Sequence, residues 1–416
     1  MTVIEIARPS AGLPGAAPAD PPSSLGGLER ADGPWVVERI ADRDGFAALR
    51  ADWDGLLEGS ASDGFFLTWE WLYTWWKHLG GDRRLALLAV RCGGELVAVA
   101  PLALGRSREW RPLPLRSLQL LGTGQVGSDY LDLIARAGAE RPAAGALADY
   151  LGEQRALLEL GQLPAERSAA ALVAERLRER GWGELERTTH VCPFIDLAGE
   201  SWESYVAALG SSHRANLRRR LRKLEARFDV RFERAHSEAE VAAAFEILVD
   251  LHHRRWQGRG GSDAFGGPAV VAFHRELVGL ALRRGWLRLY VLRLDGRPAA
   301  ALYGFLYRGR FLFYQAGFDP AFGDWSVGLV TMGLTIRAAI EEGAREYDLL
   351  HGDEDYKFLW ANQSRELARL ELYPPTAAGR LERPLRQAAR ALKARARGWR
   401  RRAEAALAAR GDGGAA

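Results

Sequence analysis

Cysteine is nearly absent from this sequence. The 416 residues hold two cysteines, Cys92 and Cys192, and neither lies in a Cys-x-x-Cys spacing or next to a histidine. Two isolated cysteines predict no disulfide framework, because such frameworks use several pairs at close spacing. A reducing cytoplasm is therefore the expected compartment.

Long apolar runs are missing as well. No stretch of about 18 apolar residues is present to span a bilayer. The first 30 residues lack a positively charged start followed by an apolar segment. We therefore expect neither secretion nor membrane insertion, and residues 1–33, which are rich in Ala, Pro and Gly, are predicted to be disordered.

Histidine offers no metal site. The adjacent His252 and His253 lie near the end of a predicted helix that begins at the capping box of Ser237 and Glu240. Neighbouring residues of a helix point in different directions, whereas a helical metal site needs ligands four residues apart. The sequence therefore predicts no bound metal.

Excess positive charge is confined to the C-terminus. Residues 377–416 carry 11 Lys/Arg against 3 Asp/Glu, whereas the other 376 residues carry 46 against 50. A slightly acidic body is not typical of a nucleic-acid-binding protein, so a nucleic-acid partner is not expected. Residues 380–410 predict a basic amphipathic helix that lies on an anionic membrane surface, docks weakly on a partner protein, or is solvated. The first of these places the protein at the inner face of the membrane.

The sequence does contain enough apolar bulk for two domains, with 48% hydrophobic residues and 14 Trp. Residues 85–104 predict a strand, a Gly-Gly turn and a second strand, and residues 287–307 repeat this plan around an Asp-Gly turn. Aligning the two turns superposes Arg91 on Arg293. We interpret the repeat as two copies of one mixed α/β unit, and the alternative is a chance match of two hairpins.

Residues 310–360 carry the most information about function. Aromatic and smaller residues alternate over residues 311–316, which predicts a half-buried strand. Ser326 then occupies a helix N-cap position, with Gly328 two residues later. A strand that ends at the bare N-terminus of a helix forms a pocket for an anion, typically a phosphate. A second predicted strand, residues 346–350, leads to a group of ionisable side chains beside that pocket.

The order of these elements resembles the GCN5-related N-acetyltransferase (GNAT) fold. The aromatic strand with Gly317, the Ser326-x-Gly328 helix start and the Tyr356-Lys357 pair are more specifically similar to acyltransferases of the CelD/BcsL type, which are linked to bacterial polysaccharide biosynthesis. That class is similar to the Fem-type peptidyltransferases, which join two such domains in one chain. The resemblance implies an α/β protein with mixed sheets and tandem GNAT-like domains. The expected parts are a disordered segment, an N-terminal GNAT-like domain, a C-terminal acyltransferase domain and a basic helical tail, at residues 1–33, 34–190, 191–376 and 377–416.

The same resemblance implies a donor and where it binds. Acyl-CoA, with acetyl-CoA foremost, is the implied co-substrate, and aminoacyl-tRNA, the donor of Fem-type relatives, is the alternative. Ser326, Val327 and Gly328 would hold the pyrophosphate, with Gln315 beside them, and the N–H near Gly317 would polarise the thioester carbonyl. The usual Arg/Gln-x-x-Gly-x-Gly/Ala signature lacks its second glycine here, which keeps both donors open.

Three further residues are candidates for proton transfer and charge stabilisation. Tyr356 lies where this fold supplies a tyrosine to protonate the leaving sulfur. Lys357 would stabilise the oxyanion or bind a phosphate. Asp348 is the favoured base, because neighbouring carboxylates raise one another's pKa. His351 has a suitable pKa for this role, but a single loop histidine is more often merely exposed.

Acceptor binding is expected to involve four residues. Arg214 and Arg218 lie on a predicted basic helix, Ser211–Arg227, which attracts phosphates or is a solvated face. Trp256 and Asp129 complete the set, with Asp129 at the inner rim of the N-terminal half. The resemblance implies a sugar or cell-envelope intermediate as the acceptor, and a non-catalytic accessory protein of polysaccharide biosynthesis is the remaining alternative.

Overall fold

A computed structural model describes residues 33–106, 113, 115–124, 126–166, 168–257 and 263–411. The predicted disordered segment lies outside these ranges except for its last residue. The described strands are β1 (Trp35–Ile40), β2 (Arg84–Leu85), β3 (Leu87–Cys92), β4 (Glu95–Ala100), β5 (Leu102–Arg106), β6 (Arg116–Leu120), β7 (Ile134–Ala135), β8 (Leu157–Pro164), β9 (Gly183–Asp196), β10 (Val230–Arg234), β11 (Leu287–Leu294), β12 (Arg297–Tyr307), β13 (Arg310–Phe318), β14 (Glu346–Asp348) and β15 (Gln363–Tyr373).

The helices connect and cover these strands. The described helices are α1 (Arg43–Ala48), α2 (Arg50–Glu58), α3 (Trp69–Leu79), α4 (Glu140–Glu153), α5 (Ala169–Glu179), α6 (Trp202–Ala208), α7 (Ser211–Arg227), α8 (Glu238–Trp256), α9 (Pro268–Arg283), α10 (Val327–Glu341), α11 (Asp355–Phe358) and α12 (Ala377–Gly411). The predicted helices are present as α7, α8, α10 and α12. The predicted capping box of α8 is formed by Ser237 and Glu240. None of the described helices is both long and apolar enough to cross a membrane.

One mixed sheet runs through both halves of the chain. Among the described residues, 11 strands pair in the order β10-β11-β12-β13-β14-β9-β15-β8-β6-β5-β2, and β1-β3-β4-β7 form a second sheet. The long strand β9 pairs with β14 on one side and with β15 on the other. The expected domain boundary at residue 190 therefore lies within a strand, and its position stays a prediction.

The predicted repeat is present as two equivalent hairpins, each preceded by an antiparallel neighbour: β1 beside β3–β4, and β10 beside β11–β12. Both hairpins have a register shift at the same place, next to Arg91 and next to Arg293. Arg91 donates to the carbonyl of Gly94 and Arg293 to that of Gly296. Both turns have positive φ, as Gly-Gly and Asp-Gly turns require: 57° at Gly93, 90° at Gly94, 49° at Asp295 and 76° at Gly296. The mixed α/β fold class is confirmed.

Two apolar clusters fill the interior. The first combines the tryptophan-rich helix α3 with α9 and the N-terminal strands, where Trp53, Trp71 and Trp75 are fully buried. The second surrounds α10, and α7 packs against α10 through the buried Leu217 and Leu224. This packing places Arg220 and Lys223 of α7 near the start of α10.

Two strand predictions fail, both because a residue has positive φ. The sequence predicts a strand over residues 130–134, but Tyr130 has a φ of 55° and the described strand there is β7, Ile134–Ala135. The second predicted strand of residues 346–350 ends at Asp348, because Leu350 also has a φ of 55°. A left-handed backbone conformation is incompatible with an extended strand and is strained for a residue such as leucine.

Candidate active site

A fork between two parallel strands forms the centre of the C-terminal half. Strands β13 and β14 pair in parallel at three positions, from Arg310 opposite Glu346 to Leu312 opposite Asp348. Beyond these positions β13 continues to Phe318, whereas the chain after β14 turns away at Leu350. We refer to the region between residues 313–318 and 349–356, where the two strands separate, as the cleft.

The start of α10 lies just beyond the end of β13. Ser326 precedes the helix with φ 55° and ψ 40°, and its side chain makes no capping hydrogen bond with the described residues. Ser326 thus occupies the predicted N-cap position. Gly328 is exposed, and a Cβ there would lie 3.6 Å from Phe318 at the nearest. The first-turn N–H groups and the positive end of the helix dipole are available to an anion.

Three cations surround this helix start. The guanidinium of Arg220 donates to the carbonyl of Asp324 at 2.8 Å. Lys223 Nζ lies 4.5 Å from the ring centroid of Trp325, and the guanidinium of Arg255 lies 5.1 Å from that of Phe318. These groups add positive charge where the helix dipole already favours a phosphate, and they offset the carboxylate of Asp324.

The predicted acceptor-binding cations are elsewhere on α7. Arg214 donates to the carbonyls of Ala207 and Leu209, so it caps the end of α6. Arg218 is exposed on the outer surface of α7. Trp256 lines a cavity of about 760 Å³ between the end of α8 and residues 265–268. Leucine periodicity located the buried face of α7, but it did not indicate which arginines lie beside α10.

Asp129 and His351 form a pair across the two halves of the chain. Asp129 is fully buried, and its two carboxylate oxygens accept hydrogen bonds from the backbone N–H of His351 at 2.8 Å and from His351 Nδ1 at 2.7 Å. Gln162 donates a further bond to Asp129 at 3.1 Å. Burial would lower the pKa of His351, but the bond to Asp129 and its charge outweigh burial and raise that pKa above its usual value. The Nε2 atom of His351 makes no hydrogen bond within the described part of the chain.

The predicted catalytic residues Asp348 and Lys357 hold the loop that carries His351. Asp348 is fully buried and accepts a bond from the N–H of Leu350 at 2.8 Å, and burial raises its pKa to about 6. Lys357 is also buried, and its Nζ donates to the carbonyls of His351 at 2.7 Å and Leu350 at 3.3 Å. It also pairs with Glu354 at 3.2 Å. The ammonium of Lys357 thus has three partners in this loop.

Tyr356 is the predicted residue that remains available at the cleft. Its side chain is 38% exposed, and burial together with the charge of Glu354 raises its pKa to about 12. A phenol with this pKa is protonated at neutral pH. Tyr356 can therefore donate a proton to a departing group.

The main-chain irregularity of β13 lies three residues before the predicted position at Gly317. The register with β12 shifts between Phe313 and Gln315, so Tyr314 is the bulged residue. Gly317 instead pairs regularly with Ala301 and contacts the backbone of α8. Gln315 is half-buried on the opposite side of the bulge. Any N–H freed by the bulge thus lies near Tyr314.

The bulge and His351 are neighbours. Burial raises the pKa of the Tyr314 phenol far above its usual range, and the nearby main chain of Gly127 opposes this rise. A Cβ on Gly127 would lie 2.9 Å from Cε1 of His351, so the glycine permits the imidazole to approach closely. Strand β13, which carries the main-chain N–H expected to polarise the thioester carbonyl, therefore lies close to His351, with Gly127 between them.

A cavity of about 490 Å³ lies on the N-terminal side of this pair. It is lined by His190, His351, Arg187 and Arg369 together with residues 122–124 and 126–128. The rings of His190 and His351 are 5.0 Å apart, centroid to centroid. Within the described residues, no three His, Cys, Asp or Glu side chains are grouped so that they could hold a metal ion.

In the sequence, His351 is a weaker candidate base than Asp348 because a single loop histidine is more often exposed. Its partner Asp129 is far away along the chain. The two residues are 222 positions apart, so no local spacing connects them. The predictions of Asp129 at an inner rim and of the duplication were the two available signals. Together they indicate that a group from the first half reaches the cleft of the second.

Comparison with known proteins agrees with this geometry. Residues 211–358 match the family model described as an acetyltransferase (GNAT) domain. The crystal structure of FemX is 12% identical, with a TM-score of 0.56 over 80% of this chain and 96% of FemX. A conserved protein of unknown function from Bacteroides thetaiotaomicron is 10% identical, with a TM-score of 0.50 over 81% of this chain and 99% of that one. No curated protein matches by sequence. The chain therefore has a GNAT-domain acyltransferase fold.

Proposed function

We propose that the protein transfers an acyl group from acyl-CoA to an amine or hydroxyl of a sugar or cell-envelope intermediate. The observation that supports this most is the position of the α10 start at the end of β13, directly beside the cleft where β13 and β14 separate. A pyrophosphate at the N–H groups of Val327 and Gly328 would leave the rest of the donor to extend along β13. The resemblance to CelD/BcsL-type acyltransferases supports polysaccharide biosynthesis as the setting and a bacterial, cytoplasmic location.

The charge around α10 supports a donor with phosphates. Lys223 and Arg255 flank the helix start, and Gly328 leaves space for a bulky anion. The acyl carbon would then lie near the bulge at Tyr314, where a main-chain N–H can bind the oxygen of the thioester as it gains charge. The nucleophile attacks this carbon, the C–S bond breaks, and the thiolate takes a proton from Tyr356.

Aminoacyl-tRNA is the second candidate donor. Helix α7 carries seven Lys/Arg against one Glu, and Arg220 and Lys223 lie next to the α10 start. Such a helix suits the backbone of an RNA, and the FemX-like fold favours the Fem-type relationship. Binding of tRNA would weaken steeply as salt rises, because each neutralised phosphate releases counterions.

CoA and acetyl-CoA are expected to stabilise the full chain in a thermal unfolding experiment. A ligand that binds only the folded state contributes about 2.7 kcal/mol at one hundred times its Kd. The variant Gly328→Glu places a carboxylate at the proposed phosphate site, so it should weaken CoA binding about tenfold, which corresponds to about 1.4 kcal/mol. Gly55→Glu is the matched control, because Gly55 is an exposed helical glycine with open space around it.

Two outcomes would count against this donor. If CoA gives no saturable stabilisation while tRNA binds with a steep salt dependence, the donor is aminoacyl-tRNA. If neither ligand binds, the protein is an accessory that uses the fold only for binding. An equal loss of CoA affinity in Gly328→Glu and Gly55→Glu would contradict the assignment of the phosphate site to the start of α10.

Replacing Tyr356 with phenylalanine should slow release of CoA from acetyl-CoA by a factor on the order of 10² or more, because the leaving thiolate loses its proton donor. Stabilisation by CoA should be unchanged, since the phenol does not contact the phosphates in this proposal. Tyr73→Phe on α3 is the control, and it should change neither quantity. A parallel loss of turnover and CoA binding in Tyr356→Phe would contradict the acid role.

A further inference from the structure

We propose that the cavity lined by His351 binds an acceptor that bears a phosphate or carboxylate, and that His351, oriented by Asp129, removes the proton from the acceptor's amine or hydroxyl. This inference rests on the proposed acyltransferase function and adds the substrate class and the base. The cavity holds about 490 Å³, which suits a small molecule of the size of one or two sugar units.

The electrostatics of the cavity favour an anion. The charged side chains in its described lining are Arg187 and Arg369, and the lining contains no Asp or Glu. Burial and the neighbouring His351 lower the pKa of His190, so this histidine adds little positive charge. Arg369 also donates to the buried Glu159 at 2.7 Å and to the buried Glu371 at 2.9 Å, so most of its charge is used within the fold. The glycine-rich residues 122–124 and 126–128 form one wall of the cavity and add no charged side chain to it.

The geometry of His351 is that of a positioned base. A proton on Nδ1 lies between His351 and Asp129, so Nε2 is the atom that can accept a proton from the acceptor. The backbone of His351 is also held on both sides, since its N–H donates to Asp129 and its carbonyl accepts from Lys357. Such fixation of both backbone and ring is typical of a histidine that acts in catalysis.

The proton balance follows directly. The acceptor's O–H or N–H proton moves to Nε2 of His351 as the new bond to the acyl carbon forms. The C–S bond of the thioester breaks, and the thiolate takes a proton from Tyr356. The products are the acylated acceptor and free CoA thiol. His351 then releases its proton to solvent and the phenolate of Tyr356 takes one up, so both residues return to their starting state.

Four charged or titratable groups face His351 and set its pH response. Asp129 lies on the N-terminal loop, His190 on β9, Lys357 on α11, and Glu354 on the loop before α11. Asp129 raises the pKa of His351, whereas Lys357 opposes this rise. The variant Asp129→Asn should therefore lower that pKa, and the alkaline activation of turnover should move to lower pH.

The binding claim can be tested without turnover. The full chain, labelled at histidine and saturated with CoA so that the donor site is filled, is titrated by NMR with glucosamine and with glucosamine 6-phosphate. The His351 signal is identified by its loss in His351→Asn. We expect the phosphorylated sugar to shift this signal at concentrations at least tenfold lower than glucosamine, and Arg187→Gln to abolish that difference. Equal response to both sugars, or no effect of Arg187→Gln, would overturn the anionic acceptor site.

The base claim has its own readouts. Release of CoA from acetyl-CoA, with glucosamine 6-phosphate present, should fall by about 10²–10⁴ in His351→Asn while stabilisation by CoA is unchanged. His236→Asn, at an exposed histidine before α8, is the control and should retain turnover. Retained turnover in His351→Asn, or an unchanged His351 pKa in Asp129→Asn, would overturn the role of the pair. If CoA does not stabilise the wild-type protein, acyl-CoA is not the donor and the proposed function fails. Failure of the base claim can therefore be distinguished from failure of the proposed function.

Discussion

Replacing Arg386 with methionine is expected to lower the free energy of unfolding by about 3 kcal/mol, because the change removes a buried cation from two buried carboxylates that keep Arg369 as a shared partner. Arg386 is 2% exposed on α12. Its guanidinium donates to Glu371 at 2.9 and 3.2 Å and to Glu159 at 3.5 Å. The first turns of the basic tail are therefore fixed to the sheet by buried ion pairs, and urea unfolding of the full chain measures their contribution.

The pH dependence of this effect has a defined sign. Burial would raise the pKa of Glu371, but bonds from Arg390 and Tyr373 and the charges of Arg369 and Arg386 lower it to about 2. A depressed carboxylate pKa contributes stability above its unfolded value and loses it as pH falls toward the folded value. The difference between wild type and Arg386→Met should therefore be largest above about pH 4.5 and shrink below it.

A matched control lies on the same helix. Lys393 is exposed on α12, so Lys393→Met removes the same charge without burying or uncovering a carboxylate. Its effect should be within about 0.5 kcal/mol. Similar losses in the two variants would contradict the role of the buried pairs, and would instead indicate that the net charge of the tail sets its stability.

The docking of α12 shows which part of the tail was predictable. The run of arginines and the alanine-rich face predicted a helix correctly, because both features are local. The sequence left open a membrane surface, a partner protein or solvent as the surroundings of this helix, and did not predict a buried arginine. Arg386 is buried because Glu159 on β8 and Glu371 on β15 meet at one place in the sheet, and strand pairing over 200 residues is not visible in a local pattern. Beyond these turns, Leu392 and Trp399 are exposed.

The candidate site also has a part that the sequence predicts and a part that it does not. The elements around α10 were predicted because strand alternation, helix periodicity and glycine positions all lie within residues 310–360. The roles within the site were harder to predict. Asp348 and Lys357 were proposed for catalysis, but the structure has them bonded to Leu350 and His351, and that network depends on the positive φ of Leu350. No residue type signals a left-handed leucine in advance.

Substituting Gly317 with alanine is expected to destabilise the protein by about 3 kcal/mol, at the upper end of the usual range for overpacking. A Cβ there would lie 2.4 Å from the backbone nitrogen of His252 and 2.7 Å from the carbonyl carbon of Leu251. These are main-chain atoms of α8, which cannot rotate aside, so helix and strand must move apart. Gly161→Ala in β8 is the control, because no atom lies within 4 Å of its added Cβ.

The effect of Gly317→Ala on CoA binding and turnover distinguishes a packing role of Gly317 from a direct catalytic role. The α8–β13 contact also orders Arg255, whose guanidinium lies over Phe318 beside the start of α10. We therefore expect the variant to bind CoA more weakly as well as to unfold at lower urea concentration, while Gly161→Ala retains wild-type stability. Reduced turnover with normal stability and normal CoA affinity would contradict this packing role and would support the alternative, in which the main chain at residue 317 contacts the reacting carbonyl. Urea unfolding and CoA titration of both variants decide between the two.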